Sequence, residues 1–253
     1  MRARISRRTI PVAALGLLLL LTGCGGTGTT PEADDRRATA PAGGPERSNP
    51  SPMAARPQEI PGLGPATRAR IGAAARQVFV VTGETADSNR ATAVLYERDE
   101  VRGWRPAAGP WPARNGRRGW TEDHRMGDLR SPIGVYGLTD AGGKLADPGT
   151  ELPYDRRTEF RAPGRNVEGE SLEEAFDYVV AINYNRVPGR TPLDWTRPLG
   201  EEKGGGIWVH VDHGAATQGC VALPKPLMRD LMKRLDPAAR PVVVMGPQGV
   251  LAR

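Results

Sequence analysis

Cysteine and histidine are scarce in this chain, which has two cysteines and three histidines among 253 residues. So few soft ligands argue against a cysteine-rich metal site. No internal repeat is present, which excludes a solenoid or repeat array. The one long apolar run, Pro11 to Leu21, is too short to cross a bilayer as a stable helix. Two thiols, Cys24 and Cys220, and three imidazoles are therefore the groups available for cysteine-based nucleophilic chemistry.

The first 24 residues have the pattern of an export signal. Several arginines precede the apolar run, and the sequence Leu-Thr-Gly-Cys, ending at Cys24, follows it. A charged start, a short apolar run and a small-residue cleavage site are typical of a signal peptide. The last four residues resemble a lipobox, which predicts that Cys24 is lipidated and anchors the protein to the outer face of the cytoplasmic membrane. Ser6 to Ile10 also resembles a twin-arginine signal, so both the Sec and the twin-arginine routes stay open.

Residues 25–70 are rich in proline, glycine, alanine, threonine and charge. Such a segment buries too little apolar surface to offset its ordering entropy, so it predicts a disordered tether. Residues 71–250 are enough for one domain with its own core. If Cys24 carries lipid, Cys220 has no disulfide partner. A free thiol outside the cytoplasm is prone to oxidation, and its presence there suggests a reactive role.

The segment from Gly204 to Pro224 reads GGGIWVHVDHGAATQGCVALP and carries Cys220. Strand alternation places His210 on the same face as Trp208, away from the apolar face of the strand and towards a cleft. Thiolate is the attacking form of cysteine, and a nearby imidazole can generate it. Gly219 permits a tight turn at the thiol, where backbone N–H groups could bind an oxyanion.

Other interpretations of these residues stay open. His213 is a competing base, and Asp212, His210, His213 and Cys220 together could form a zinc site. Against zinc, His210 and His213 should tend towards opposite faces, and no second cysteine is nearby. Cys220 could also be a small buried apolar residue beside an ordinary strand histidine. The polar run around His124 predicts a solvated loop.

The predicted architecture is mainly β, with a few short helices. Ser171 and Glu174 form a possible capping box for one helix, and a stripe of leucines predicts a second that begins near Pro226. Six strands are predicted, over Gln77–Val81, Ala91–Glu97, Arg102–Pro106, Tyr178–Asn183, Ile207–Val211 and Pro241–Met245.

Two separated motifs resemble the L,D-transpeptidase (YkuD-type) catalytic domain family. Thr217 to Val221 reads TQGCV, which is similar to the family's Ser/Thr-x-Gly-Cys-Val/Ile ending after a strand histidine. Gly127 to Tyr136 reads GDLRSPIGVY, which is similar to the family's GD-x-x-(T/S)-P-x-G stretch. The resemblance covers roughly residues 75 to 247. It implies a β-sandwich-like fold of mixed sheets.

The resemblance also implies roles for particular residues. Cys220 would be the nucleophile, His210 its general base, and Gly219 part of the oxyanion-stabilising turn. The carbonyl of Val211 would orient the imidazole. Three departures from the family pattern put substrate contacts in doubt: Gln218 stands where many members have histidine, Val211 where they have glycine, and Ala222 where many have arginine.

The implied activity is that of a peptidoglycan L,D-transpeptidase, which forms a Cys220 thioester with a stem peptide and passes it to an amine in cell-wall cross-linking. An L,D-carboxypeptidase and a catalytically silent wall-binding lipoprotein are the alternatives. No metal or organic cofactor is expected. Trp208, Thr217 and Tyr184 are predicted to contact substrate, and Trp195 could line the same groove. The net charge of +6 suits anionic wall polymers, and an export signal argues against nucleic acid as a partner.

Overall fold

The computed structural model describes residues 57–162, 164–165, 169 and 171–253. The predicted signal peptide, Cys24 and the tether up to residue 56 lie outside the described residues. The described part contains three α-helices, α1 (Pro65–Ala69), α2 (Lys225–Arg234) and α3 (Gln248–Leu251), and two 3₁₀ turns at Glu201–Lys203 and Pro237–Ala239. Its strands are β1 (Gln77–Gly83), β2 (Arg90–Asp99), β3 (Gly103–Arg114), β4 (Trp120–Thr121), β5 (Ser131–Pro132), β6 (Gly134–Gly143), β7 (Tyr154–Arg156), β8 (Val179–Ile182), β9 (Trp208–Val211), β10 (Val221–Leu223) and β11 (Val242–Pro247).

Nine of these strands form one mixed sheet in the order β11-β1-β2-β3-β10-β9-β8-β6-β7. Strand β11 pairs in parallel with β1 and also antiparallel with β6, so every strand of this sheet except β7 belongs to a closed ring. The pairing of β10 with β9 is parallel, whereas β9 pairs antiparallel with β8. The prediction of a mainly β fold with mixed sheets and a few short helices is therefore confirmed.

Alternation along β9 separates two clusters of buried side chains. Val209 and Val211 pack in the main core with Ile207, the residue before the strand. Trp208, on the other face, packs in a smaller cluster with Phe160 and two β8 residues, Val179 and Ala181, and Cys220 lies at the edge of that cluster. The predicted assignment of the two faces is confirmed, and it places Trp208 and His210 on the side of the sheet that carries the nucleophile.

The two predicted helices have different outcomes. Helix α2 forms at the predicted place, although its buried side chains are Met228, Leu231 and Met232, and Leu227 is only partly buried. The helix predicted to follow Ser171 is wrong, because residues 171–178 form a series of turns with bonds between residues three apart. Only a few residues lie between Ser171 and the start of β8 at Val179, too few to propagate a helix after its costly first turn.

The segment before β1 is packed, which corrects the predicted tether boundary. Ile60 is 1% exposed and joins a second apolar cluster with Leu63 and Leu251. The N–H of Gln58 donates to the carbonyl of Arg102, and Trp104 N–H donates to the carbonyl of Gln58, both at 2.7 Å. Residues 57–70 therefore belong to the folded domain, because two large aliphatic side chains and an added backbone pairing offset the cost of ordering them. Among the described residues, no helix has the length and apolar character needed to cross a membrane.

Candidate active site

Neighbouring parallel strands bring His210 and Cys220 together. His210 lies on β9 opposite Ala222 of β10, and Cys220 immediately precedes β10. The backbone N–H of Trp208 donates to Cys220 Sγ at 3.4 Å, and Sγ lies 3.6 Å from the carbonyl oxygen of Gly206. The sulfur is therefore held beside the start of β9 by weak bonds to the backbone.

Both residues line one cavity of about 280 Å³, and its walls are largely apolar. Cys220 is partly exposed to this cavity, and the ring of His210 reaches it although the residue as a whole is only 3% exposed. The structure thus brings the predicted nucleophile and base to one site. The other lining residues are Ala162, Leu172, Ala175, Phe176, His213, Ala216, Thr217 and Gln218.

The imidazole of His210 is fixed by its own neighbour in the chain. Its Nδ1 lies 2.8 Å from the carbonyl oxygen of Val211, as the resemblance implies. A carbonyl only accepts, so Nδ1 carries the proton and Nε2 retains its lone pair. The ring of Phe176 packs edge-on against the imidazole, with the centroids 5.4 Å apart. Burial lowers the pKa of His210 to about 4, so the ring is neutral at pH 7 and can accept a proton.

The thiol of Cys220 is also neutral at rest. Burial raises its pKa to about 11, an effect that the N–H of Trp208 opposes only in part. At pH 7 on the order of one molecule in ten thousand would carry thiolate. The site therefore holds a thiol and a neutral imidazole rather than an ion pair, and attack requires proton transfer to a base.

His213 lies closer to His210 than the sequence suggests. The two rings are stacked, with centroids 5.8 Å apart and an angle of 7° between their planes, and both line the cavity. The expectation that they tend towards opposite faces is wrong, because β9 ends at Val211 and strand alternation does not continue to His213. His213 accordingly lies within the candidate site.

The alternative zinc site is not formed by the residues that would build it. Both carboxylate oxygens of Asp212 have other partners. Arg114 Nε donates to Asp212 Oδ2 at 3.2 Å, and the N–H of Gly214 donates to Asp212 Oδ1 at 2.9 Å. Across the described part of the chain, no group of three or more His, Cys, Asp or Glu side chains could hold a metal ion.

Thr217 and Gly219 shape the turn at the nucleophile. The hydroxyl of Thr217 donates to the carbonyl of Cys220 at 2.6 Å and accepts the N–H of Gly219 at 3.2 Å. Gly219 has a φ of 147°, and a Cβ there would lie 3.1 Å from the carbonyl oxygen of Arg130. Thr217 therefore holds the loop with its hydroxyl instead of offering it to substrate. The N–H of Gly219, expected to bind an oxyanion, already has a partner.

Two predicted substrate contacts are buried elsewhere. Trp208 packs against Phe160 and Phe176, with ring centroids 5.9 and 5.0 Å away. The hydroxyl of Tyr184 donates to the carbonyl of Lys203 at 2.8 Å, and neither residue lines the cavity. Both side chains serve the packing of the domain, which does not support the predicted substrate contacts; these contacts stay predictions. Gln218 is exposed at the cavity, and Trp195 is 69% exposed on the segment between β8 and β9.

His124 is buried, which contradicts the expected solvated loop. Its Nδ1 lies 3.1 Å from Asp128 Oδ1, and its ring packs edge-on against Tyr184. A Cβ on Gly219 would lie 3.4 Å from the His124 ring, so this histidine supports the back of the nucleophile loop. Burial lowers its pKa. The polar neighbours of His124 led to the prediction of a solvated loop, because their side chains are exposed while the ring of His124 is buried.

Sequence reasoning also missed Asn115 and Ser131, which are completely buried beside the same loop. The N–H of Thr217 donates to the carbonyl of Asn115 at 3.0 Å. The hydroxyl of Ser131 lies 2.7 Å from the carbonyl oxygen of Gly219. Ser131 belongs to the GD-x-x-(T/S)-P stretch. The motif therefore includes this residue, but it does not predict the hydrogen bond to Gly219.

Comparisons with known proteins give a family match and a similar solved structure. A family model described as the L,D-transpeptidase catalytic domain, YkuD, matches residues 81–244. No curated protein matches the chain significantly. Among solved structures, the chain is similar to the helical cell shape determining protein Pgp2 from Campylobacter jejuni, with 18% identity and a TM-score of 0.34 over 67% of this chain and 48% of that one. The chain spans about half the length of that structure. Since the family model covers more than half of the chain and includes both His210 and Cys220, the chain belongs to the YkuD family of L,D-transpeptidase catalytic domains.

Proposed function

We propose that this protein is a peptidoglycan L,D-transpeptidase in which Cys220 is the nucleophile and His210 the general base. One observation carries the proposal: Cys220 and His210, placed by neighbouring parallel strands, open into one cavity, and Val211 holds the imidazole with Nε2 available. A neutral base beside a neutral thiol is suited to acyl transfer, because proton transfer and attack can occur together.

The first half of the proposed reaction forms a thioester. Cys220 Sγ attacks the carbonyl carbon of an L-centre residue in a stem peptide, and the thiol proton passes to His210 Nε2. The carbon–nitrogen bond to the terminal D-residue then breaks, and the departing amine takes the proton from Nε2. The acyl group is left on Cys220.

The second half returns the enzyme to its resting state. A neutral amine on the D-centre of a neighbouring stem attacks the thioester carbon and gives its proton to His210 Nε2. The carbon–sulfur bond breaks, and the sulfur recovers the proton from the imidazolium. The product is a cross-link between two stems. Attack by water instead of the amine would make the protein an L,D-carboxypeptidase.

A carbapenem supplies a test of the nucleophile. We expect the wild-type protein to gain the mass of the opened β-lactam, and peptide mapping to place it on Cys220. The Cys220→Ala variant should gain no mass, and His210→Ala should acylate much more slowly because it lacks the base. An unchanged adduct on Cys220→Ala would refute the assignment, and an unreactive wild-type protein would favour the silent wall-binding alternative.

Product analysis distinguishes the two enzyme activities. A purified tetrapeptide stem is incubated with the protein, with and without a D-amino acid as acceptor. Transpeptidation predicts an exchanged stem that appears only with the amine. A carboxypeptidase would instead release the same shortened stem in both reactions.

We also propose that the protein is exported and attached to the outer face of the cytoplasmic membrane through lipid on Cys24. The Leu-Thr-Gly-Cys sequence supports this proposal. Metabolic labelling with a fatty acid should mark the wild-type protein and leave Cys24→Ser unlabelled. Equal labelling of the two would contradict the anchor.

A further inference from the structure

Ser131 connects two parts of the chain directly behind the nucleophile. The residue is fully buried on β5 and does not line the cavity. Its Oγ accepts the N–H of Gly116 at 2.8 Å. The same hydroxyl donates to the carbonyl of Gly219 at 2.7 Å, and it lies 3.3 Å from the carbonyl oxygen of Cys220. Its one proton is therefore directed at the peptide bond that joins Gly219 to Cys220.

Peptide geometry converts this contact into an orientation for the nucleophile. In a trans peptide the carbonyl of Gly219 and the N–H of Cys220 point in opposite directions within one plane. A hydroxyl that holds the carbonyl on the buried side therefore directs the Cys220 N–H away from that side. Cys220 itself opens into the cavity.

The preceding N–H group, that of Gly219, is already engaged in a hydrogen bond within the loop. The N–H of Gly219 donates to Thr217 Oγ1, so a substrate oxyanion would have to displace that hydroxyl to use it. The hydroxyl of Thr217 also holds the carbonyl of Cys220 at 2.6 Å. Two buried hydroxyls thus fix successive carbonyls on either side of the nucleophile, and between them they restrict rotation of the Cys220 backbone.

We propose that Ser131 is a positioning residue that directs the backbone N–H of Cys220 towards the oxyanion formed during acyl transfer. The inference rests on the proposed function, since it assumes a tetrahedral intermediate at Cys220. Donors aligned in advance stabilise such an intermediate without reorganisation, and loss of one costs about a hundredfold or more in rate. Misalignment of the donor should cost part of that factor.

Two reactions of the same thiol separate positioning from a general loss of structure. Acylation by a carbapenem passes through an oxyanion, whereas alkylation by iodoacetamide displaces iodide and does not. We expect Ser131→Ala to slow acylation of Cys220 about tenfold to a hundredfold. Alkylation should stay within about twofold of wild type, because displacement of iodide makes no use of the oxyanion donor.

Two control variants accompany this measurement. Ser131→Thr keeps the hydroxyl and should restore acylation. Leu251→Ala removes buried apolar contacts in the second cluster, far along the chain from the loop, and should lower stability while leaving both rates unchanged. Thermal unfolding of each variant identifies any that fails to fold.

The outcomes are distinct. Equal acylation rates for Ser131→Ala and wild type would overturn the positioning role and leave the proposed function intact. A parallel fall of both rates in Ser131→Ala would also overturn it, because the thiol itself would then have changed. If the wild-type protein forms no carbapenem adduct, the proposed function fails, and this inference fails with it.

Discussion

The Nδ1 atom of His210 lies 2.8 Å from the carbonyl oxygen of Val211, the next residue in the chain. A base is usually oriented by a separate carboxylate or amide side chain, but here the backbone of the same strand does this. The arrangement keeps the proton on Nδ1 through a neutral carbonyl rather than through a carboxylate hydrogen bond. Burial outweighs the support that this carbonyl and Asp212 give to an imidazolium, so the ring remains neutral, as the low pKa of about 4 indicates.

The raised pKa of Cys220 predicts the pH dependence of thiol alkylation. Since the thiol pKa is about 11, the thiolate fraction should rise with pH throughout the neutral range. We expect the iodoacetamide rate to increase about tenfold per pH unit from pH 7 to 9. Cys24→Ser makes Cys220 the only thiol for this measurement. A rate that is already constant between pH 6 and 8 would instead reveal a preformed thiolate–imidazolium pair.

Burial of neutral His210 predicts a loss of stability in acid. Its pKa falls from 6.5 in the unfolded chain to about 4 in the folded one, so the unfolded state binds more protons between these values. The stabilising contribution is complete above pH 6.5 and is lost as the pH falls towards 4. We expect this residue to account for about 3 kcal/mol of the unfolding free energy lost between pH 7 and 4.

Urea unfolding at a series of pH values measures this effect. The matched variant His210→Asn has no group that titrates in this range, so its unfolding free energy should fall by about 3 kcal/mol less than that of wild type. Parallel curves for the two proteins would show that His210 does not titrate in the folded state as described.

Gly219 and Gly189 form a matched pair for testing the nucleophile turn. Both have positive φ angles, 147° and 79°, but only Gly219 has neighbours within 4 Å of an added Cβ. Each replacement by alanine should cost about 1 to 3 kcal/mol through backbone strain. Only Gly219→Ala should also lose carbapenem acylation, because only this glycine adjoins Cys220. Normal acylation of Gly219→Ala would contradict the role of the turn.

Arg186 and Asp140 form a buried ion pair that anchors the segment after β8. Their Nη1 and Oδ2 atoms lie 2.8 Å apart, and both side chains are almost inaccessible to solvent. Asp140→Ala would leave the guanidinium buried without this carboxylate, at a cost of about 3 to 5 kcal/mol. We expect the double variant Asp140→Ala, Arg186→Met to be more stable than Asp140→Ala alone. Chemical denaturation compares them, and an additive loss would contradict this coupling.

The parts of the site that follow from local alternation could be predicted from the sequence. The faces of β9, and the placement of His210 and Cys220 at one site, depend on strand periodicity and on a short loop. The contact between Ser131 and Gly219 joins residues far apart in the chain, and it depends on the pairing of strands that no local pattern specifies. The stacking of His213 on His210 likewise depends on the path of the chain after β9 ends at Val211.

Composition was a poor guide at the start of the domain. Proline, glycine and charge dominate the stretch up to residue 70 and predict a tether there, yet Ile60 and Leu63 are buried. Two aliphatic side chains are enough to order this segment when the rest of the domain offers an apolar surface for them. The average composition of the segment does not reveal that surface. The same limit applies to Tyr184 and Trp208, whose aromatic rings suggested a groove and pack in the interior.

The closed circuit of strands determines how the two reacting residues can separate. Strand β9 has β8 and β10 as neighbours, and β10 is held in turn by β3. Neither strand has an unpaired edge. His210 and Cys220 can therefore separate only if hydrogen bonds between strands of the closed ring break. Amide protons of Val209 and His210 should therefore exchange with solvent only as slowly as the whole domain unfolds.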